Sequence, residues 1–567
     1  MNKASTVAKG AAIIAAGTLL SRLLGLVRDH LITTEFGGSY IAGAFRSAYS
    51  VPDLLYYLLA GGALSAAFIP IFSDYLVRGE QKDANRIGSS ITNLMVLILL
   101  AGVALEILYA PYVVRMVAPG YLPGTPEFNL TVELTRVMCG VVIFTAISGL
   151  LTGMLNSYHH FLMPTVVWNS FNLFFIFGIV VLGKLHWHGV PLGIYGVGIG
   201  VVMGALSMAL LQLPLVFKYG FRYLPVIDMA HAGVKRVLQL FVPVMFGLSL
   251  GQLNLQFIPN IIASLAGPTA VALIYPANRV VLLPMGIFAV AIATAAFPRM
   301  SQQISLGEHQ AFRATLTNGL KAIILLIIPC MVSVLLLARP MTCLLWGGGA
   351  FTLQDIEASA FALSLFIWGL LALSMLQLIN RAFFSLQDTL TPVIVGALMV
   401  GANILLGILL TRHSQVQFGG TALATSLTTT LATLVLFELL RRRLHGIGGR
   451  EITVMTLKVL FASLVMGVVL YLVARCLAPT FAYHGVKHVL GPSHSFTLLA
   501  PHIERVKQVV APLDLLKVPL KRLALQIGAS MLAGFFAYLA ALRLLGVKES
   551  ALITNRLLRR FRRQVAQ

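Results

Sequence analysis

Positively charged side chains inside long apolar segments are the first feature of this sequence that could do chemistry. Arg22 and Arg28 lie in the first such segment, and Arg279 lies in a later one. A charge at the bilayer centre costs about 2.5–3.5 kcal/mol on insertion scales, so it persists only for a reason. The planar guanidinium group can bind two phosphate oxygens at once. The three arginines therefore predict one cavity that binds an anion, with a phosphate as the best match.

Other polar side chains in apolar segments are candidates for the lining or the gate of that cavity. They are Ser21, Asp29, Arg46, Asp53, Gln252, Gln256, Asn260 and Arg381. The two glutamines and the asparagine continue a stripe that begins at Ser249 at helical spacing, and such stripes also bond neighbouring helices.

Structural alternatives remain open for several charged positions. Arg28 could simply pair with Asp29, and Arg46 and Arg381 could extend to a membrane interface. Glu106 stands alone in its segment, and structural and functional roles are equally open for it.

Composition places all these residues in a membrane protein. Hydrophobic residues make up 58% of the chain, charged residues only 11%, and the mean hydropathy is +0.89. A soluble chain of 567 residues needs more charge to cover its surface. Apolar runs of about twenty residues recur, each long enough to cross a bilayer core of roughly 30 Å. Because only helices and closed barrels satisfy their backbone in lipid, such long runs predict an all-α membrane protein with about fourteen transmembrane helices.

The predicted spans follow the apolar runs and the polar, glycine and proline residues that separate them. They lie near 8–32, 40–75, 89–116, 128–156, 163–183, 190–217, 234–265, 270–300, 313–338, 354–386, 391–411, 417–440, 452–477 and 522–546. The first run continues past Arg28 without a small-residue cleavage site, so we expect a span there and not a removable signal peptide.

The distribution of Lys and Arg predicts the orientation. The formal net charge is +22, which in a soluble domain would suggest nucleic acid. Here the basic residues cluster in short loops such as 76–88, 218–236 and 441–450, and in the tail after 546. These segments and both termini are therefore predicted to be cytoplasmic, with no nucleic-acid partner. The segment 478–521 is predicted to lie outside the cell, as short helices at the membrane surface.

An internal repeat predicts the domain organisation. Pro70 and Ser73 recur as Pro298 and Ser301, and the later pair Ser157 and Pro164 recurs as Ser385 and Pro392, all at an offset of 228 residues. The offset spans an even number of predicted helices, so the two halves run in the same direction. We predict an N-terminal six-helix lobe at 1–217, a parallel six-helix lobe at 218–440 and two further helices in 441–567.

The sequence lacks the motifs of the common enzyme classes and metal sites. The glycines at 347–349 lack the lysine of a phosphate-binding loop. His484 and His488 lack the intervening glutamate of a metalloprotease, and the four cysteines have no metal or disulfide spacing. Gly196, Gly200 and Gly204 predict close helix packing. We expect no enzyme and no bound cofactor, with a monovalent cation gradient or the membrane potential as driving force.

Several segments resemble the MurJ (MviN) family of lipid II flippases, within the multidrug/oligosaccharidyl-lipid/polysaccharide exporter superfamily. They are SRLLGLVRD at 21–29, GALSAAFIP at 62–70, YPANRVVLLPMGIFAVAIATAAFPRMS at 275–301, GGAFT at 348–352 and RAFFSLQDTLTPV at 381–393. The resemblance implies fourteen spans, of which the last two form a groove for a lipid tail. It maps the arginines of the family's substrate cavity onto Arg22, Arg28 and Arg279, and its first-span serine onto Ser21.

The resemblance also implies an activity. It implies outward transport of undecaprenyl-pyrophosphate-linked disaccharide-pentapeptide across the bacterial inner membrane, for peptidoglycan synthesis and cell shape. Membrane lipids and cell-wall synthesis enzymes are the other partners it suggests. Two alternatives stay open, a cation-coupled polysaccharide-lipid or multidrug exporter of the same fold, and a non-transporting paralogue that acts as a scaffold.

Four positions depart from the family's charge pattern. Gly43 stands where family members usually have an acidic residue. Family members also usually have a basic residue near the position of Tyr56 and an acidic residue at the position of Gly61. Asn278 similarly stands where an aspartate commonly precedes the arginine. The sequence therefore predicts either a rewired gate or a paralogue with an altered substrate or lost activity.

Overall fold

The computed structural model describes residues 3–59, 63–158, 160, 162–187, 189–241, 253–413, 418–477 and 520–547. Within these ranges the all-α class is confirmed, since the only two strands, His186–Trp187 and Val190–Pro191, form one short antiparallel hairpin. The outer segment predicted at 478–521 lies outside the described residues except for its last two, and so does the basic tail from 548 onward.

The chain forms two compact units, Met1–Ala272 and Leu273–Gln567. The helices that lie in the first unit are α1 Lys3–Phe36, α2 Tyr40–Leu59, α3 Ala63–Val77, α4 Gln81–Val117, α5 Pro126–Met138, α6 Val141–Ser157, α7 Leu162–Val180, α8 Ile194–Lys218, α9 232–241 and α10 Ile258–Ser264. A π-helical turn, Leu253–Phe257, precedes α10. The next helix, α11 Pro268–Pro284, passes from the first unit into the second.

The second unit continues with a π-helical turn, Met285–Ala289. Its further helices are α12 Val290–Ser305, α13 His309–Leu336, α14 Ala338–Trp346, α15 Leu353–Phe366, α16 Leu370–Ser385, α17 Leu390–His413, α18 Gly419–Arg443, α19 Gly449–Leu477 and α20 Leu520–Leu544. Eleven helical stretches among the described residues are long and apolar enough to cross a membrane, some of them formed by two consecutive helices such as α5 and α6. The total of about fourteen spans remains a prediction.

Residues of the sequence repeat occupy equivalent places in the two units. Pro164 is the third residue of α7, and Pro392 is the third residue of α17. The hydroxyl of Ser157 donates to the carbonyl of Gly153 at 3.0 Å. The equivalent hydroxyl of Ser385 donates one turn back in the same way, at 2.9 Å. The helix pairs that carry the repeat, α3 with α6 and α12 with α16, pack together within their own units.

Glycines allow α7 and α8 to pack at backbone distance. A Cβ atom added to Gly200 would lie 2.5 Å from the Cα atom of Gly178, and one added to Gly196 would lie 2.5 Å from the amide nitrogen of Gly183. Gly204 meets the backbone of Phe171 in the same way, at 2.9 Å. The predicted close packing of the glycine-repeat helix is therefore confirmed.

We expect Gly200→Ala to destabilise this helix pair. The added Cβ would have to displace backbone atoms, and overpacking of this kind costs about 1–3 kcal/mol. Gly102→Ala in α4 is the matched control, because nothing lies within 4 Å of its added Cβ. The measurement is the midpoint of thermal unfolding of each purified variant in detergent, and equal midpoints for the two variants would contradict the packing account.

Candidate functional site

A buried ionic cluster joins α1 to α2 in the first unit. The Nε and Nη2 atoms of Arg28 both donate to Oδ1 of Asp29, at 3.0 and 2.9 Å. The Nη2 atom of Arg46 lies 3.8 Å from the same oxygen. All three side chains are at least 90% buried. Two cations thus share one carboxylate, which leaves this trio with one net positive charge inside the helix bundle.

Asn172 of α7 extends the cluster to a third helix. Its Oδ1 accepts a hydrogen bond of 3.1 Å from Nη1 of Arg28. Its Nδ2 donates to the carbonyl oxygen of Ser21 at 3.2 Å and lies 3.4 Å from the Ser21 hydroxyl. The guanidinium of Arg28 also lies 4.8 Å from the centre of the Phe175 ring, one turn further along α7. Sequence reasoning missed Asn172, whose only signal is a polar side chain within an apolar helix.

The cluster therefore unites Ser21, Arg28, Asp29 and Arg46 of the predicted site. Ser21 and Arg28 are seven residues apart, so they share one face of α1. Arg22 points elsewhere, and its side chain is exposed. The predicted pairing of Arg28 with Asp29 is present, whereas Arg46 lies buried beside Asp29 and does not extend to an interface.

Asp53 follows the cluster on α2, seven residues after Arg46, and is half-buried. The helices run without interruption through Gly25 in α1 and Pro52 in α2, two residue types that often open or kink a helix. The backbone around the cluster is thus regular helix in this conformation.

The remaining predicted arginines lie in the second unit. Nε of Arg279 donates to the hydroxyl of Tyr275, one turn earlier on α11, at 2.8 Å, and its guanidinium lies 5.0 Å from that ring's centre. Nη1 of Arg381 donates to the hydroxyl of Thr294 at 2.6 Å, so this arginine bonds α16 to α12. The suggestion that Arg381 extends to a membrane interface stays a prediction.

The polar stripe predicted near 249–260 is only partly within the described residues. Gln252 and the side chain of Gln256 lie outside them, while Asn260 is half-buried on α10. The chain is π-helical at Leu253–Phe257, and i→i+5 bonding there interrupts the α-helical spacing on which the stripe rests. The stripe stays a prediction.

Neighbouring groups fill the places where family charges are missing. A Cβ atom on Gly43 would lie 2.0 Å from the carbonyl oxygen of Pro268, so no side chain fits there. Tyr56 packs edge-on against Trp168, with ring centres 5.5 Å apart. Gly61 lies outside the described residues. The described part of the chain contains no group of three or more His, Cys, Asp or Glu side chains that could hold a metal ion.

We expect Asp29→Asn to destabilise the protein strongly. Arg28 and Arg46 would remain buried without their carboxylate, and breaking a buried ion pair costs about 3–5 kcal/mol. Asp74→Asn is the control, since Asp74 pairs with Arg78 where both side chains are largely exposed, and such pairs contribute about 0–1 kcal/mol. The measurement is thermal unfolding of the purified variants, and an Asp29→Asn protein as stable as the control would refute the ionic cluster.

Comparison with known proteins gives a consistent answer. The family described as lipid II flippase MurJ matches residues 32–490. A lipid II flippase MurJ of Burkholderia cenocepacia is 31% identical over 437 residues, which cover 75% of this chain and 82% of that protein. A probable lipid II flippase MurJ of Vibrio cholerae is 29% identical and covers 78% of this chain and 84% of its own length.

Solved structures show the same fold. A lipid II flippase MurJ in an inward closed conformation superposes with a TM-score of 0.74 at 22% identity, covering 96% of this chain and all of that one. An inward-facing multidrug transporter of the MATE family, from the MOP superfamily, reaches 0.64 at 13% identity and covers 77% of this chain and 98% of its own. From the match over residues 32–490 and the identity with the Burkholderia protein, we conclude that this chain belongs to the lipid II flippase MurJ family.

Proposed function

We propose that this protein moves lipid II from the inner to the outer leaflet of the bacterial cytoplasmic membrane by alternating access. The observation that carries the proposal is the family match over residues 32–490, which runs from α1 through α19 and into the segment beyond it. Both termini are cytoplasmic in this proposal, in line with the basic loops and tail. The protein acts as a transporter and catalyses no covalent step.

The buried cluster supplies the binding site for the pyrophosphate. Arg28 is occupied by Asp29 and Asn172 in the described conformation. A pyrophosphate offers several anionic oxygens, so it can take over the donors of Arg28 that now bind the carboxylate and the amide. Arg22, Arg279 and the hydroxyl of Ser21 contribute further donors when the cavity closes on the substrate.

The lipid tail of the substrate remains in the membrane and lies along α19 and α20, which pack against each other. One face of α19 carries exposed apolar side chains at helical spacing, namely Leu457, Phe461, Leu464 and Val468. The driving force comes from an ion gradient or the membrane potential, which supplies roughly 2.3 kcal/mol per charge per 100 mV.

We expect Arg22→Ala, Arg28→Ala and Arg279→Ala each to abolish transport. The protein level should stay near normal for Arg22→Ala and Arg279→Ala, whereas Arg28→Ala is compared per molecule of protein in the membrane, because Arg28 also pairs with the buried Asp29. A charge-assisted hydrogen bond contributes about 1.5–3 kcal/mol, equivalent to roughly a ten- to hundredfold loss of affinity. The lysine variants should recover only part of the activity, since an ammonium group cannot form the bidentate hydrogen bonds that a guanidinium group forms with a phosphate. The measurement is rescue of growth in cells depleted of their own flippase, beside an immunoblot of the membrane fraction.

Arg381→Lys is the control, because Arg381 bonds Thr294 between two helices and a lysine can donate to the same hydroxyl. We expect this variant to rescue growth. Full rescue by Arg28→Ala or Arg279→Ala would contradict the pyrophosphate site. Variants that fail to accumulate but transport normally per molecule would assign the arginines to folding.

A further inference from the structure

One carboxyl group lies buried in the apolar seam by which α4 packs against the first unit. The seam residues recur every three or four positions and are Leu99, Val103, Glu106, Ala110, Val114 and Val117. Leu99 and Val103 pack there with apolar side chains of α2 and α6. The flanking residues Leu105 and Leu108 are exposed on the outer surface of the helix. Glu106 is therefore an acid turned away from lipid and into a packed apolar contact.

Within the described part of the chain, Glu106 forms no ion pair in this conformation. Its side chain is 8% exposed, and its Oε1 atom has no hydrogen-bond partner among the described residues. Two titratable side chains at the end of α5 lie close to it: the thiol of Cys139 interacts electrostatically with the carboxyl group, and Arg136 bonds the backbone of the next residue, Ile107. Neither α6 nor α10 contains a titratable side chain. Arg46 of α2 and Asp74 of α3 each pair with another charged side chain.

The helix is broken close to this carboxyl group. Pro111 has no amide hydrogen to donate to the carbonyl oxygen of Ile107, and Tyr109 between them has non-helical angles of φ −103° and ψ 18°. The freed carbonyl of Ile107 instead accepts a hydrogen bond of 3.2 Å from Nε of Arg136 on α5. An arginine is thus anchored to the residue that directly follows Glu106, at the point where α4 can bend.

We propose that Glu106 is a proton-binding site, neutral in the described conformation and ionised when the contact between α4 and α5 opens. An unpaired carboxylate in an apolar contact is too costly to keep, so the buried form carries its proton. Opening at the break beside Tyr109 admits water. The O–H bond of the acid then breaks, the proton passes to water, and the carboxylate pairs with Arg136. Reclosure takes up one proton.

The site itself is independent of the substrate, whereas a link to transport rests on the proposed function. Binding and release of one proton per opening of α4 would let a proton gradient bias the conformational cycle. Glu106→Gln mimics the neutral form permanently, so it should remove the pH dependence of transport and retain the fold.

Infrared spectroscopy of the full-length protein in lipid vesicles tests the site without a transport assay. We expect the carbonyl band of a protonated carboxylic acid in the wild type at neutral pH and its loss in Glu106→Gln. Glu133→Gln is the matched control, because Glu133 is an exposed acid on α5 that accepts a hydrogen bond from Tyr195, and it should leave the band unchanged. Absence of any band difference between wild type and Glu106→Gln would overturn the proposal.

Arg136→Gln tests the counter-ion. Loss of the cation disfavours the carboxylate, so the band should persist to higher pH than in the wild type. An unchanged titration midpoint, together with a pH profile of transport that Glu106→Gln does not alter, would refute the conformational link. If the wild type fails to support lipid II transport at all, the proposed function fails, and the infrared result still decides the proton site.

Discussion

A buried arginine needs an anion, and Asp29 supplies one to arginines of two different helices. Arg28 lies on the same helix as this carboxylate, and Arg46 reaches it from α2. Because the two cations exceed the single anion, the cluster favours a further negative charge, and an incoming phosphate can meet that demand. The packing of α1, α2 and α7 depends on the same contact, since Asn172 holds Arg28 and Ser21 together. In the proposed function, one interaction thus couples the stability of the first unit to the binding of the pyrophosphate.

At two positions where the resemblance led us to expect a charged side chain, other groups of the protein occupy the space. The carbonyl of Pro268 occupies the space that a side chain at position 43 would need. The ring of Tyr56 rests on Trp168 in place of a charge. Both positions are closely packed. A backbone contact fills the space beside Gly43, and an aromatic contact fills the space beside Tyr56.

Hydropathy predicted most of the helices because every span must be long enough to cross the bilayer and must satisfy its backbone hydrogen bonds internally. The span predicted at 313–338 is α13, His309–Leu336. The described residues of the run predicted at 40–75 belong to two helices, α2 and α3, on either side of residues 60–62. The run predicted from 190 begins with a strand, because Val190 is apolar in a hairpin as well as in a helix, and α8 starts at Ile194.

The site was harder to predict than the helices. Intramembrane charge singled out Arg28, Asp29 and Arg46 because it is rare and costly. The partner Asn172 could not be found this way, since it lies 144 residues from Arg28 in sequence and one amide in an apolar helix is unremarkable. Intramembrane charge also singled out Glu106. That its Oε1 atom has no hydrogen-bond partner among the described residues could not be predicted, because it follows from the packing around α4 and not from the neighbours of Glu106 in sequence.

Access of lipid II to the outer leaflet is the most direct measure of the proposed activity. In cells depleted of their own flippase, an impermeant hydrolase added from outside would cleave only the pyrophosphate of lipid II that has crossed the membrane. The account predicts cleavage when this protein is supplied and protection when Arg28→Ala is supplied at equal membrane level. Lipid II that stays protected in cells with abundant wild-type protein would contradict it.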